Sequence, residues 1–468
     1  MNDVGPTAWV PDLIFTQGQF ASGLAIISDE GSAHIARVLH DENSDESLPL
    51  KNRAMLPGLV NAHSHAFQRV IRGRTEYRTS NSKDSFWTWR EMMYSAANRL
   101  TPKDIYDASR MAFLEMALSG ITTVGEFHYL HHSPGGKPYR ERNLLAKEVV
   151  QAARDVGLRI ALLLVAYARS DYQTESNPQQ ARFIEADAEV YLERAVQLKS
   201  DLETADRGAW LGLAPHSVRA VPLDYLKRII RFAEEQQVPI HMHVAEQPAE
   251  VSSCIQEHGR PPVELLQSEG LLSKRFTAVH AIHLTPAEVS ALGEASANVC
   301  ACPTTERNLG DGIVPVDALF AAGVPVSLGS DSQIQIDLME DARELEYHLR
   351  LQQMERSVLA PATAARSALA ERLFACATVG GAKSLGTRAG RLESDCPADF
   401  FTVDLDDPSI AGSSSEDLLA GIVFSLSRGA VRDVVVGGKM IVKEGRHEKQ
   451  EEIVERFKAL QKKLWTGE

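Results

Sequence analysis

Eight short apolar runs alternate with longer segments of helical spacing through the middle of the chain, and this alternation constrains the fold more than any other feature. The runs are almost continuous in aliphatic residues, as expected of parallel strands that are buried on both faces. They cover residues 56–60, 121–127, 158–166, 210–214, 239–244, 276–281, 297–302 and 324–328. Between the first two runs, Thr101 and Asp104 resemble a capping box, and Gly120 lies where a glycine commonly ends a helix. Eight βα units predict an α/β fold, a (β/α)8 TIM barrel.

The two chain ends carry a different pattern, with short apolar runs separated by glycine, aspartate and serine. Residues 8–56 predict β hairpins, and a Gly437-Gly438 pair between two apolar runs gives a hairpin signal near the other end. We therefore predict one small composite β-sandwich domain made from both ends. This composite domain is predicted to comprise residues 1–56 and 384–468, and the barrel is predicted to comprise residues 57–383. Residues 449–465 are predicted to form a closing helix. The length of 468 residues suits a barrel of ~250 residues with such a satellite.

Composition and charge exclude several classes of function. The chain has 49 Lys and Arg against 63 Asp and Glu, a net charge of −14, which argues against binding to nucleic acid or to an anionic membrane surface. The longest apolar stretch, at 160–168, is too short to span a bilayer, and the first residues lack the features of a signal peptide. Five cysteines without a CxxC motif indicate free thiols. We predict a cytoplasmic protein that acts on a small molecule and binds neither nucleic acid nor membranes.

Polar residues cluster where the predicted strands end, which is the face that carries the active site of a TIM barrel. His63 and His65 are two residues apart after the first strand, so both imidazoles face the barrel mouth. Later strands end in His241-Met-His243-Val-Ala-Glu246, in His280 and in Asp331. A pair of histidines alone is a weak signal, but histidine and carboxylate ligands from several strands on one rim predict a mononuclear metal site. Its nitrogen and oxygen donors suit Zn²⁺, with Fe²⁺ or Mn²⁺ as alternatives.

These motifs carry a resemblance to a known family. Residues 57–65 (PGLVNAHSH), together with His243-Val-Ala-Glu246, His280 and Asp331, resemble the deaminase branch of the amidohydrolase superfamily. No lysine follows the fourth strand, at residues 214–216, which argues against the members that bind two metals through a carboxylated lysine. Longer strings are similar to the formimidoylglutamate deiminase family of bacterial histidine breakdown. They lie at residues 65–69, 86–90, 126–132 and 302–312.

The resemblance implies a ligand set, a reaction and an assembly. His63, His65, His243 and Asp331 would bind one zinc ion, with His243 preferred to His241 because it stands three residues before Glu246. His283 is interpreted as structural. The expected reaction converts N-formimino-L-glutamate and water into N-formyl-L-glutamate and ammonia without an organic cofactor. Related proteins are often homodimers, so a homodimer is expected.

The expected chemistry assigns three catalytic roles. Asp331 takes a proton from the attacking water, and Glu246 passes a proton to the leaving nitrogen. His280 donates a hydrogen bond to the charge that develops on the attacking oxygen.

A substrate with two carboxylates needs cations in its pocket, and arginine binds a carboxylate through two parallel hydrogen bonds. Arg219, after the fourth strand, is the first candidate and Arg90 the second. Further candidates at strand ends are Gln68, Tyr129 and His216. Three neighbouring histidines are interpreted as loop residues rather than as a second metal site; they are His128, His131 and His132.

Two alternative functions remain open. The first is another aminohydrolase of the same branch that acts on guanine, S-adenosylhomocysteine or a triazine; its pocket would offer stacking rings and few cations. The second is a relative without metal or activity, which would have lost ligands that this chain retains.

Overall fold

The computed structural model describes residues 7–28, 34–40, 47–78, 85–205, 208–362 and 365–466. The described chain begins with five strands of one sheet: β1 (Thr7–Thr16), β2 (Gln19–Ala21), β3 (Leu24–Ser28), β4 (Ile35–His40) and β5 (Ser47–Pro57). β1 pairs antiparallel with β2 and β3, as the predicted hairpins require, but it pairs parallel with β5.

Eight parallel strands then form a second sheet in which each strand pairs with its neighbours in sequence. They are β6 (Leu59–Ser64), β7 (Ile121–His128), β8 (Arg159–Ala166), β9 (Ala209–Pro215), β10 (Ile240–Val244), β11 (Phe276–His280), β12 (Asn298–Ala301) and β13 (Val326–Leu328). Ser64 and Asp331 form a parallel bridge between the first strand and the residues after the last. The predicted TIM barrel is confirmed, and its sheet closes beside predicted metal ligands.

Helices follow the barrel strands in the order that the apolar pattern predicts. They are α1 (Phe86–Ala97), α2 (Pro102–Leu118), α3 (Leu144–Val156), α4 (Ala188–Ala205), α5 (Leu223–Gln236), α6 (Pro248–His258), α7 (Pro262–Ser268), α8 (Pro286–Glu294), α9 (Pro303–Leu309), α10 (Val316–Ala321), α11 (Leu338–Gln353), α12 (Ala368–Ala375) and α13 (Gly381–Ser384). α2 begins with the predicted capping box of Thr101 and Asp104, and Gly120 after it has a φ of +86°. Among the described helices, none is long and apolar enough to cross a membrane.

The C-terminal elements return to the first sheet. They are β14 (Phe400–Asp404), α14 (Leu418–Ser425), β15 (Val431–Val436), β16 (Lys439–Lys443), β17 (Arg446–His447) and α15 (Gln450–Trp465). β14 pairs with β5, so both chain ends share one hydrogen-bonded sheet and the predicted composite domain is confirmed. Gly437 and Gly438 have φ values of +58° and +75°, which the tight β15–β16 hairpin requires. α15 is the predicted closing helix.

The first predicted barrel strand was misplaced. Residues 56–60 are one apolar run, but Leu56 pairs with Phe401 in the composite sheet, whereas Leu59 pairs with Ile121 in the barrel. Gly58 lies between them, and a Cβ there would come within 2.2 Å of Thr122 Oγ1. One continuous apolar run therefore contributes residues to both the composite sheet and the barrel sheet. Apart from the shared run at 56–60, we propose residues 1–56 with 384–468 as the composite domain and residues 57–383 as the barrel.

Candidate metal centre and cavity

Four buried side chains converge where the barrel closes. His63 Nε2 lies 3.1 Å from His65 Nε2 and 3.2 Å from His243 Nε2. Asp331 Oδ1 lies 3.1 Å from the His65 nitrogen and 3.4 Å from the His63 nitrogen. The first two histidines are at the end of β6, the third is on β10, and the aspartate follows β13. The structure thus brings together the four residues that the family resemblance implies as metal ligands.

The donor set fits a divalent metal. Bonds of about 2.0–2.1 Å in a tetrahedral zinc site place neighbouring ligand atoms about 3.3 Å apart, close to the separations here. His65 Nδ1 donates to the Phe127 carbonyl at 2.9 Å, and His243 Nδ1 donates to the His216 carbonyl at 3.2 Å. These bonds leave the Nε2 lone pairs free to bind an ion. Burial lowers the pKa of His63 to about 3, which favours the neutral, ligating form.

Asp331 is held rigidly for this role. Its backbone N–H donates to the His63 carbonyl and its carbonyl accepts from the His65 N–H, both at 3.0 Å. Its φ of +46° is uncommon for a residue with a side chain, as is the +69° of His280, and such backbone strain is typical of functional sites. Burial alone would raise the pKa of Asp331, but the hydrogen bonds with His63 and His65 hold it well below its usual value.

Beside the proposed metal ligands, three acidic side chains surround His280. Its Nδ1 donates to Glu306 Oε1 at 3.2 Å, and its Nε2 lies 3.8 Å from Glu246 Oε1 and 3.9 Å from Asp331 Oδ2. Burial opposes protonation, but the charges of these acids raise the pKa of His280 well above its usual value. Burial also raises the pKa of Glu246. His280 Nε2 and the Glu246 carboxyl group therefore lie together next to the candidate metal position.

Three of the four converging residues, His65, His243 and Asp331, border a cavity of about 730 Å³, solvent at its mouth included, and all five predicted substrate-binding residues line it. The Arg90 guanidinium carbon lies 4.3 Å from the Trp87 ring centroid, and its buried Nε and Nη1 have no hydrogen-bond partner within the described residues. Arg219 Nη1 donates to the Ser170 carbonyl. Gln68 Nε2 donates to the Tyr129 hydroxyl at 2.8 Å. His216 lies between the arginines and the ligands, with its Nδ1 3.1 Å from Ser217 Oγ.

Four histidines outside this group donate to backbone carbonyls, which fits a structural interpretation, whereas the buried Nε2 of His128 has no hydrogen-bond partner within the described residues. His241 Nε2 donates to the Ser384 carbonyl at 3.0 Å, deeper in the barrel than His243. His283 Nε2 donates to the Asp311 carbonyl at 3.0 Å. His131 and His132 donate to carbonyls at 2.7 and 2.9 Å, and within the part of the chain that the structure describes they join no cluster of three potential ligands.

Sequence reasoning missed two acidic residues of the site. Glu306 anchors His280 and also accepts the backbone N–H of Cys302 at 2.8 Å. Its only signal was its place in the string at 302–312. Glu250 borders the cavity and accepts the Glu246 N–H at 3.1 Å. Burial raises its pKa to about 7. Its spacing of four residues from Glu246 was an available but unspecific signal.

Comparisons with known proteins agree with this architecture. Residues 54–441 match the sequence profile of the amidohydrolase family. A formimidoylglutamate deiminase from Pseudomonas aeruginosa is 37% identical over 90% of this chain and 92% of its own length. A 5-methylthioadenosine/S-adenosylhomocysteine deaminase from Natronomonas pharaonis is 28% identical over 90% of this chain and 88% of its own length.

Solved structures extend the likeness to the fold. A crystal structure of an amidohydrolase from Brucella melitensis is 32% identical and superimposes with a TM-score of 0.89 over 98% of this chain and 99% of its own. An adenosine deaminase from Xanthomonas campestris with bound zinc shares the fold at 22% identity and a TM-score of 0.81, over 98% of each chain. With a profile match across most of its length and a 37% identical relative of similar length, the chain belongs to the amidohydrolase family.

Proposed function

We propose that this protein hydrolyses the formimino group of N-formimino-L-glutamate, giving N-formyl-L-glutamate and ammonia. The observation that carries the proposal is the pair of arginines, Arg90 and Arg219, in the same cavity as the candidate metal ligands. A substrate with an amidine at one end and two carboxylates at the other would fill such a cavity. The 37% identical relative is named a formimidoylglutamate deiminase, which supports the same substrate.

Zinc is the metal we propose, with Fe²⁺ or Mn²⁺ as alternatives, held by His63, His65, His243 and Asp331. Three imidazole nitrogens and one carboxylate oxygen are a donor set that zinc accepts. When bound, the ion supplies a water that is activated for attack near neutral pH.

The remaining steps fall to the protein's own side chains. Asp331 accepts the proton of the attacking water, and His280 Nε2–H donates to the oxygen that becomes negative as it bonds to the amidine carbon. Glu246, 3.8 Å from His280 Nε2, passes a proton to the nitrogen that leaves as ammonia. Glu306 does not touch the reacting atoms; it holds the ring of His280 from the opposite side through Nδ1.

The substrate carboxylates are assigned to the arginines. The unpartnered Nε and Nη1 of Arg90 are free to donate to a carboxylate, and buried unpaired donors are costly without such a partner. Arg219 donates to Ser170 through one nitrogen and has further donors on its fork. Gln68, Tyr129 and His216 complete the wall near the amidine. Trp87 and its aromatic neighbours also line this cavity, which keeps an aromatic base as the second candidate.

A panel of substrates tests the assignment. The purified protein is incubated with N-formimino-L-glutamate, S-adenosylhomocysteine, guanine or a triazine, and ammonia release is measured for the first three and product formation for the last. We expect turnover of N-formimino-L-glutamate at a kcat/KM at least ~10²-fold above the others, because only this substrate pairs both arginines. A preference for a purine or a triazine would contradict the proposal and support the related deaminases.

We also propose a cytoplasmic homodimer. All five cysteines are free and buried, which fits a reducing compartment. Light scattering of the purified protein measures the assembly, and a monomeric mass would contradict the dimer.

A further inference from the structure

Next to the four proposed zinc ligands lies a second set of potential metal ligands, which includes a thiol with no part in the proposed reaction. His280, Cys302 and Asp331 each place one ligand atom within 4.8 Å of the others. All three side chains are buried, with 1%, 0% and 5% of their surface exposed. His280 ends β11, Cys302 directly follows β12 and Asp331 comes shortly after β13, so the three residues lie side by side at the ends of adjacent strands.

Asp331 can serve both sets because its two oxygens point in different directions. Oδ1 lies against His63 and His65, at 3.4 and 3.1 Å. Oδ2 faces His280, 3.9 Å from its Nε2. A carboxylate in this arrangement can bridge two cations, one on each oxygen, as in two-metal sites whose ions are about 3.5–4 Å apart.

A single carboxylate fixes the other two ligands. Glu306 Oε1 accepts from His280 Nδ1 at 3.2 Å and from the backbone N–H of Cys302 at 2.8 Å. The imidazole therefore presents Nε2 to the interior, and its nearest acidic oxygens, at 3.8 and 3.9 Å, are beyond hydrogen-bond distance. Gly329 makes room for the thiol, since a Cβ at that position would lie 3.1 Å from Cys302 Sγ.

We propose that His280, Cys302 and Asp331 form an inhibitory site for a second, thiophilic divalent cation, such as Cd²⁺ or Zn²⁺ in excess. One sulfur, one imidazole nitrogen and one carboxylate oxygen suit borderline-soft ions and not Mg²⁺ or Ca²⁺. Binding breaks the Cys302 S–H bond and the His280 Nε2–H bond, forms bonds from sulfur and nitrogen to the cation, and releases both protons to solvent.

Occupation of this site has two consequences. The second cation is held more weakly than the first, because two dications share Asp331 and repel each other at short range. It also removes the Nε2–H that His280 donates to the developing oxyanion, so it inhibits the reaction. The inhibition rests on the proposed role of His280, whereas the binding itself does not.

The experiment titrates the purified enzyme, dialysed to its tightly bound metal, with CdCl₂. Three readouts are followed: the ultraviolet charge-transfer band of a cadmium thiolate, the metal content per chain, and the rate of ammonia release. We expect the band to appear as the metal content rises from one to two ions per chain, together with loss of activity. Dialysis against metal-free buffer reverses all three.

Cys302→Ser removes the soft ligand with little change of volume. Cys396→Ser is the control, because this buried cysteine lies beside the composite sheet, where its carbonyl accepts from the Ile35 N–H. The Cys302 variant is expected to lose the band and to need about 100-fold more cadmium for half inhibition, by the scale of losses seen when a metal site is perturbed. The control is expected to keep both. Retention of the band in Cys302→Ser, or its loss in Cys396→Ser alone, would overturn the assignment.

Two further outcomes test the second metal site on the wild-type protein alone, so they do not depend on whether the variants fold. A wild-type metal content that stays at one ion, with cadmium replacing the first metal, would overturn the proposal. A second ion that binds without a thiolate band would do the same. Band and metal content need no substrate, so they remain informative if the protein fails to release ammonia from N-formimino-L-glutamate, which would instead contradict the proposed function.

Discussion

At the scale of single residues, the proton-transfer role proposed for Glu246 can be tested with a substitution that hardly changes the shape of the side chain. It is assigned the proton transfer to the leaving nitrogen, and it lies 3.8 Å from His280 Nε2 without belonging to the converging ligand set. Glu246→Gln is nearly isosteric but cannot carry that proton. We expect kcat to fall by roughly 10²-fold or more while the metal content is unchanged.

The measurement combines steady-state kinetics with elemental analysis. Glu235→Gln, an exposed carboxylate on α5, is the control for loss of one charge and is expected to leave kcat unchanged. A Glu246→Gln enzyme with nearly full kcat would show that another group delivers the proton.

Arg219 is proposed to bind a substrate carboxylate, so its replacement tests how strongly the enzyme prefers an anionic substrate. An unpaired buried charge costs ~2–5 kcal/mol in comparable interfaces, so Arg219→Met should lower kcat/KM for N-formimino-L-glutamate by about 30- to 4,000-fold. The variant should also narrow the preference for this substrate over formimino-glycine, which lacks one carboxylate. Both values of kcat/KM are measured on wild type, Arg219→Met and Arg231→Met, the last being an exposed arginine on α5.

Two results would separate recognition from packing. Unchanged metal content in Arg219→Met indicates an intact ligand set. An unchanged preference between the two substrates would show that Arg219 only holds the loop through Ser170, and the carboxylate pocket would have to be placed elsewhere.

At the scale of elements, the contact between β6 and β13 couples barrel closure to the metal ligands. Gly329 follows β13, and a Cβ there would lie 2.7 Å from His63 Cβ and 2.9 Å from the His63 carbonyl oxygen. Gly329→Ala must therefore push the end of β13 away from the strand that carries two ligands. We expect metal affinity to fall about 10- to 100-fold, the scale found when groups that orient ligands are changed.

Competition with a chelator measures that affinity. Gly429→Ala is the matched control, because its Cβ would meet nothing closer than Ser427 Oγ at 3.5 Å. Equal affinity in Gly329→Ala and wild type would show that β13 can shift without moving His63 or Asp331.

The same elements show what the sequence could and could not predict. The barrel follows from apolar runs of strand length, and a metal site on its rim follows from histidines and carboxylates at several strand ends. The choice of His63, His65, His243 and Asp331 as ligands came from the family resemblance. The start of β6 could not be predicted, because Leu56 and Leu59 lie in one apolar run. Leu56 belongs to the composite sheet only because it pairs with Phe401, which is far away in the sequence. Glu306 was missed for a similar reason, since a buried carboxylate acquires its role from the group that it faces.

At the scale of the whole molecule, a cluster of buried histidines makes stability depend on pH. Burial lowers the pKa of His128 to about 3, and burial also lowers the pKa of His131 well below its usual value. In the unfolded chain these rings take up a proton below about pH 6.5, whereas the folded protein keeps them neutral. Their contribution to stability is therefore fully present above that pH and is lost as the pH falls toward 3.

Thermal unfolding at several pH values between 7 and 4.5 measures this loss. Chelated protein is used, so that pH-dependent release of the metal does not contribute. His128→Gln removes one titrating ring and should reduce the fall of the unfolding midpoint with pH. Parallel curves for wild type and His128→Gln would contradict the prediction.

Metal binding is also expected to depend on the whole molecule, because the proposed ligands come from the end of β6, from β10 and from the segment after β13, which only the closed barrel brings together. We expect one tightly bound divalent ion per chain after dialysis, and none in His63→Ala. An ion that binds only the folded state stabilises it, by about 4 kcal/mol when its free concentration is 1,000 times its Kd. Chelation should therefore lower the unfolding midpoint of wild type and abolish ammonia release, while it leaves the midpoint of His63→Ala unchanged. His63 and Asp331 lie 268 positions apart in the chain, so an ion held by both can bind only the folded state. If chelation lowered the unfolding midpoint equally in wild type and His63→Ala, the stabilising ion would bind at another site. A content near two ions, or near zero, in dialysed wild type would contradict a single-metal site.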